Sequence, residues 1–232
     1  THTHTHTHTG ATTGTLSTTR TMTSHAVPGD AANKKVVSAC VFFDEDLLRI
    51  NPSVKDKKDM SRKADVYAAG VYALAIAVRV LLPGWSFWLY INPTARGVKI
   101  GDLENIPWCR IIQTHPDLPL CHMPLERFRP LFDPTVATVL VVDTDNVLTR
   151  DIVDEVKLWM SSGKMWLVNY PAQVEGQVAL PRAGYLAASP ARPCAAIEAC
   201  FNNKLVSPEW PRDELWVKEM FEFTGALDVD VF

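Results

Sequence analysis

Hydrophobic and polar positions fall into two regimes along the chain, and the change comes near residue 35. From there strand-like and helix-like patterns alternate. Val36 to Phe43 (VVSACVFF) is a short β-branched and aromatic run, long enough for a buried strand and too short for a helix, and Asp44, Glu45 and Asp46 close it. A long segment rich in Ala, Val and Leu, from about Met60 to Leu82, reads as a helix stopped by Pro83 and Gly84. Trp85 to Ile91 (WSFWLYI) is then a second strand, ended by Asn92 and Pro93. A helix joining two strands in this way is the βαβ unit of an α/β sheet. Further along, the pattern predicts a strand over Arg110 to Thr114 and a short helix over Leu125 to Leu131, interrupted by Pro130. Val136 to Val142 (VATVLVV) is the plainest strand of all. A helix from Asp151 to Met160 follows, with Ile152, Val153, Val156, Trp159 and Met160 on one face and Asp151, Asp154 and Glu155 toward its N-terminal end. Gly163 stops it, and strands over Met165 to Asn169 and Gly184 to Ala188 precede a last helix from about Asp213 to Phe221.

The first 34 residues carry no such pattern. Thr1 to Thr9 alternates Thr with His, as a translated AC dinucleotide repeat would, and the following stretch to about Asn33 is Thr-, Ser-, Gly- and Ala-rich. Such composition predicts a disordered low-complexity segment, 1–34, ahead of a single domain over 35–232. His2, His4, His6 and His8 would chelate a transition metal only weakly, whether the tract is a tag or a natural arm.

Composition excludes several classes. With 232 residues, 47% hydrophobic and 21% charged, the chain as a whole is globular. A net charge of −3 provides no field to gather phosphates, so no nucleic acid partner is expected. Cys40, Cys109, Cys121, Cys194 and Cys200 are odd in number, with no C-x-x-C pair, which argues against a disulfide framework and a zinc ribbon. The 13 uncharged residues from Val66 to Val78 are short of the roughly 20 of a membrane span. They predict a buried helix instead. No charged region followed by an apolar stretch precedes the domain, so the expectation is a soluble, cytoplasmic protein without a signal peptide.

Candidate chemistry gathers at Asp143-Thr144-Asp145, directly after the VATVLVV strand. In an open α/β sheet, ligands bind outside the carboxyl ends of strands. Period-two alternation puts both carboxylates on one side, where their repulsion is relieved by an oxygen-preferring divalent cation. Mn2+ or Mg2+ would keep positions open for phosphate oxygens and act as a Lewis acid toward a leaving diphosphate. Two acids after a strand also serve as turn formers or helix caps.

The surrounding residues narrow the choice. Arg127-Phe128 stands sixteen positions before Asp143-x-Asp145, and Val153-Asp154-Glu155 and Ser161-Ser162-Gly163-Lys164 follow it. Upstream are Tyr67-x-x-Gly70 and Leu82-Pro83-Gly84-Trp85; downstream are Ala183-Gly184-Tyr185 and Asp213-Glu214. In this order and spacing, over about residues 35–222, the chain resembles glycosyltransferases of the GT-A fold. The resemblance implies an α/β, Rossmann-like, mainly parallel mixed sheet flanked by helices. It also implies a metal-dependent enzyme that moves a sugar from a nucleoside-diphosphate donor to a glycan or other hydroxyl acceptor.

By the same resemblance, Asp143 and Asp145 form the metal and diphosphate site, with Asp145 the more direct metal contact. Arg127 would lie near the nucleotide sugar, pairing with phosphate or with an acid of the site, or else be a surface helix arginine. Gly184 and Tyr185 resemble the floor beneath the transferred sugar, or else a strand glycine and a packed aromatic. Asp213 and Glu214 resemble the acidic pair facing the reacting sugar, one of them a general base in an inverting enzyme, with a helix N-cap at Asp213 as the competing role. Asp44-Glu45-Asp46 ends the first strand where GT-A proteins hold the nucleobase and ribose, so the resemblance implies that Asp44 or Asp46 accepts from a ribose hydroxyl, with a solvated turn as the competing role. Val142, Asn146-Val147 and Asn92 depart from the family pattern, which leaves open a degenerate relative that binds a nucleotide sugar without turnover. A sugar-nucleotide pyrophosphorylase is the third option, but it calls for a Gly-rich basic loop after the first strand, where Asp44, Glu45 and Asp46 stand.

Overall fold

The computed structural model describes residues 34–42, 57–93, 95, 98–116, 118, 122–164, 166–168, 185–188, 198–199, 201–202, 216–217 and 229–231. The chain divides into 1–30 and 31–232, and all of these residues belong to the second unit. Its elements are β1 (Lys34–Val41), α1 (Lys57–Leu81), β2 (Ser86–Ile91), α2 (Ile100–Glu104), β3 (Cys109–Gln113), α3 (Met123–Glu126), β4 (Val136–Val142), α4 (Arg150–Ser162), β5 (Trp166–Val168), β6 (Tyr185–Ala188) and β7 (Val229–Val231).

The strands form one sheet in the order β3-β2-β1-β4-β6-β5-β7. β1 is parallel to both β2 and β4, and β2 to β3. β6 runs antiparallel to β4 and β5, while β5 and β7 are parallel. The architecture is therefore the α/β, Rossmann-like, mainly parallel mixed sheet that the sequence implies. Residues 198–199, 201–202 and 216–217 are helical as well, so the last expected helix is seen only at Trp216 and Val217.

Alternation along the central strands sorts the core onto two faces. Val37, Ala39 and Val41 of β1, with Phe87, Leu89 and Ile91 of β2 and Leu140 and Val142 of β4, pack against Val71, Leu74, Ala75 and Val78 of α1 and Val153, Val156 and Trp159 of α4. On the other face, Val36, Cys40, Trp88, Tyr90, Val139 and Val141 meet Met123, Leu125, Phe128, Phe201 and Trp216. Strands buried on both faces are nearly continuous apolar runs, which is why they stand out in the sequence. β4 is buried at six of its seven positions.

Local chemistry explains the helix ends. α4 starts where the Thr149 side chain accepts a hydrogen bond from the Ile152 N–H, and ends at Gly163 with φ +75°, the left-handed cap that glycine adopts without a Cβ penalty. The helix expected over 125–131 is instead α3 followed by a 3-10 turn, Arg129–Phe132, because Pro130 has no N–H to continue an α-helical ladder. α1 is buried on one side only: Val66, Ile76 and Val80 are exposed. Among the described residues it is the one helix, over Ser61–Leu81, long and apolar enough to cross a membrane by length and composition, with 21 residues at mean hydropathy 1.6. Its buried side belongs to the core described above.

Candidate functional site

β1 has β2 on one side and β4 on the other, so the chain leaves β1 in one direction and later returns to its opposite flank. The carboxyl ends of β1 and β4 thus lie at the point where strand order reverses, the place where open α/β sheets bind ligands. Cys40 lies near the end of β1, and Asp143 follows the last residue of β4.

Past Val142 the chain turns, and the Asn146 N–H donates to the Asp143 carbonyl at 3.1 Å. Within this turn Thr144 is buried, Asp143 half-buried and Asp145 exposed. Asp143 and Asp145 are thus the more exposed members of the tripeptide. Thr144 Oγ1 has no hydrogen-bond partner among the described residues.

Asp143 has a cation beside it. Arg127 Nη1 lies 2.7 Å from Asp143 Oδ1, with side-chain exposures of 5% and 33% for the two residues. Arg127 is therefore neither a surface helix arginine nor a free phosphate ligand in this state. It pairs with an acid of the site, one of the options left open by the sequence. It caps α3, and its carbonyl accepts a hydrogen bond from the buried Ser38 hydroxyl of β1 at 2.7 Å. Its Nη1 is also 3.8 Å from Cys40 Sγ, and its guanidinium lies 5.3 Å from the Phe128 ring centroid. Phe128 in turn packs on Trp216 at 4.7 Å. One buried arginine thereby links the ends of β1 and β4 and the core below them.

Asp145 is met from α1. Tyr67 hydrogen-bonds to its carboxylate, and burial, then the charge of Asp145, then this bond hold the Tyr67 hydroxyl well above the usual phenol range. One turn on, Gly70 faces the same loop. A Cβ at Gly70 would lie 1.5 Å from the Thr144 carbonyl oxygen, so only glycine permits this approach. The Tyr67-x-x-Gly70 motif noted in the sequence acquires a physical meaning here. Its two residues, three apart on one helix face, bear on the acidic tripeptide.

β6 places another expected residue nearby. Tyr185 pairs with Val142 in the antiparallel register, so its backbone stands at the strand end that launches Asp143. Gly184, Asp44, Asp213 and Glu214 lie outside the described residues. Sequence reasoning did not single out Ser38, Cys40 or the hydrogen bond from Tyr67. Ser38, a polar residue within an apolar strand, was the available signal.

The donor set is oxygen-rich but small. Among the described residues no group of three His, Cys, Asp or Glu side chains could hold a metal ion. Two neighbouring carboxylates suit a hard cation that completes its shell with water or phosphate oxygens.

No family model matches the chain, and no curated protein is significantly similar to it. Solved structures do overlap with it. 4-Diphosphocytidyl-2C-methyl-D-erythritol synthase from Anaerococcus prevotii is 15% identical, covering 85% of this chain and 86% of that one, with a TM-score of 0.48. TarS from S. aureus, in complex with UDP, is 11% identical over 86% of this chain and 58% of its own, with a TM-score of 0.48. CMP:2-keto-3-deoxy-manno-octonic acid synthetase, in complex with CTP, is 11% identical over 86% and 89%, with a TM-score of 0.45. These similarities concern the path of the backbone, and the site chemistry rests on the residues themselves.

Proposed function

We propose that the chain is a glycosyltransferase that uses a divalent metal, Mn2+ or Mg2+, and moves a sugar from a nucleoside-diphosphate donor to an acceptor hydroxyl. The observation that carries this reading is the Asp143-x-Asp145 turn at the carboxyl end of β4, beside the end of β1, with Asp145 exposed and a partner at each acid. The residues fit an oxygen-preferring cation. Asp145 would be its main protein ligand, with Asp143 beside it. When bound, the cation would neutralise charge on the leaving diphosphate.

The protein's own groups then have distinct tasks. Arg127 orients Asp143 through their ion pair, and its buried position limits it to that end of the site. Tyr67 holds Asp145. Backbone at Tyr185, level with Val142, borders the space beyond the acids, where the transferred sugar would lie. Asp213 and Glu214 remain the proposed source of a general base for the acceptor hydroxyl.

The test is direct. With Mn2+ present, one nucleoside diphosphate among UDP, GDP, CDP and ADP is expected to raise the melting temperature, since a ligand that binds only the native state stabilises it. The matching nucleotide sugar is expected to be hydrolysed slowly without an acceptor. Asp145→Ala should abolish both effects. A wild-type protein that neither gains stability nor hydrolyses any donor refutes the proposal. The Arg127–Asp143 ion pair supports a second reading, a binding protein without turnover, because it already compensates one of the two acids. Binding with no hydrolysis or transfer would favour it.

A further inference from the structure

Arg127 and Tyr67 bear on different acids of the turn, and the contact to Asp145 comes from α1. Tyr67 hydrogen-bonds to Asp145. Its ring is partly buried and packs against the apolar clusters of both sheet faces. Gly70, on the same face of α1, lets the Thr144 carbonyl come so close that an added Cβ would overlap it at 1.5 Å. Helix and loop are therefore docked backbone against backbone at Thr144, and through the phenol at Asp145.

We infer that Tyr67 is a positioning residue for the cation site: it acts through Asp145, holding one orientation of an otherwise exposed carboxylate so that its remaining lone pairs face the ion. This rests on the functional reading above. An exposed aspartate on a turn samples several rotamers, and ordering it on binding costs free energy. A hydrogen bond from a side chain already immobilised by packing removes much of that cost. Partners of this kind, one step away from the ion, typically change metal affinity by about 10- to 100-fold when removed. Gly70 contributes by fixing the distance between α1 and the turn, so that the phenol and the carboxylate meet without rearrangement. The phenol only donates; it need not touch the ion.

The experiment measures Mn2+ binding to the full chain by the loss of the free-ion electron spin resonance signal. Titrations are run alone and with each of UDP, GDP, CDP and ADP, for wild type, Tyr67→Phe, Asp145→Asn and the double variant. Tyr67→Phe keeps the ring and its packing, so its melting temperature should stay close to that of wild type while Mn2+ affinity falls about tenfold. On the Asp145→Asn background the same change should cost little further affinity, because the residue through which Tyr67 acts is already lost. Wild-type affinity in Tyr67→Phe, or an equal loss on both backgrounds, overturns the inference while the metal reading stands. No Mn2+ binding by wild type under any of these conditions overturns the metal reading, and the inference with it.

Discussion

Gly70 and Arg127 show how single residues shape the acidic turn. Replacing Gly70 by Ala adds one methyl group 1.5 Å from a backbone oxygen, a separation that no rotamer change relieves, so α1 or the turn must move. Gly70→Ala is expected to destabilise the fold by about 3 kcal/mol, measurable by urea unfolding, although Ala is ordinarily the better helix former. The opposite sign would show that the turn gives way freely. Arg127 raises a different question, because its charge is buried and that of Asp143 is one-third exposed. Removing one partner of a fully buried pair costs about 3–5 kcal/mol. Partial solvation of Asp143 lowers the expectation for Arg127→Met to about 2 kcal/mol. Adding Asp143→Asn should recover part of the loss in a double-mutant cycle, since no uncompensated carboxylate is then left.

At the scale of elements, what sequence patterning conveys follows from burial. β4 was legible to the residue, and α1, β2 and α4 to within about three residues, because each has a continuous apolar run or a one-sided stripe, while β3 (CRIIQ) was placed to within one residue on a shorter apolar core. α2 and β7 were not foreseen. α2 has five residues and contributes Leu103 to the core, and β7 has three residues, VDV, lengths at which periodicity carries no information. The short helix over 125–131 was foreseen in place but not in form, because Pro130 splits it. Caps are where such readings become quantitative. The Ile152 N–H to Thr149 Oγ1 bond is long, 3.4 Å, so Thr149→Ala should lie at the low end of N-cap losses, about 0.5 kcal/mol, read by chemical denaturation. A loss near 2 kcal/mol would mean that Thr149 supports more than the first turn of α4.

For the whole molecule, motif spacing located the acids and the arginine, while the contacts among them needed the third dimension. That Arg127 would reach both Asp143 and Cys40 depends on the parallel pairing of β1 with β4, a neighbour relation that no local pattern encodes. Tyr67 could be quoted as part of a motif, but its hydrogen bond to Asp145 joins residues 78 positions apart. The same burial that assembles these contacts predicts how the molecule responds to alkali. Tyr67 and Tyr90 are both held above the ordinary phenol value of 10.0, with burial as the largest cause, and burial raises Cys109 from 9.0 to about 11. In each case the folded protein keeps a proton that the unfolded chain releases at lower pH, so the native state binds more protons and stability falls as pH rises. Stability from these groups is complete below about pH 9. It should begin to decline between 9 and 11 through Cys109, and more steeply above 10 through the two tyrosines. Urea unfolding across pH 8 to 11.5 is the measurement. Cys109→Ser should flatten the curve between pH 9 and 11, and Tyr90→Phe the portion above 10. Tyr67→Phe removes one further source of the decline, and stability that stays level to pH 11.5 would show that these groups reach solvent in the native state.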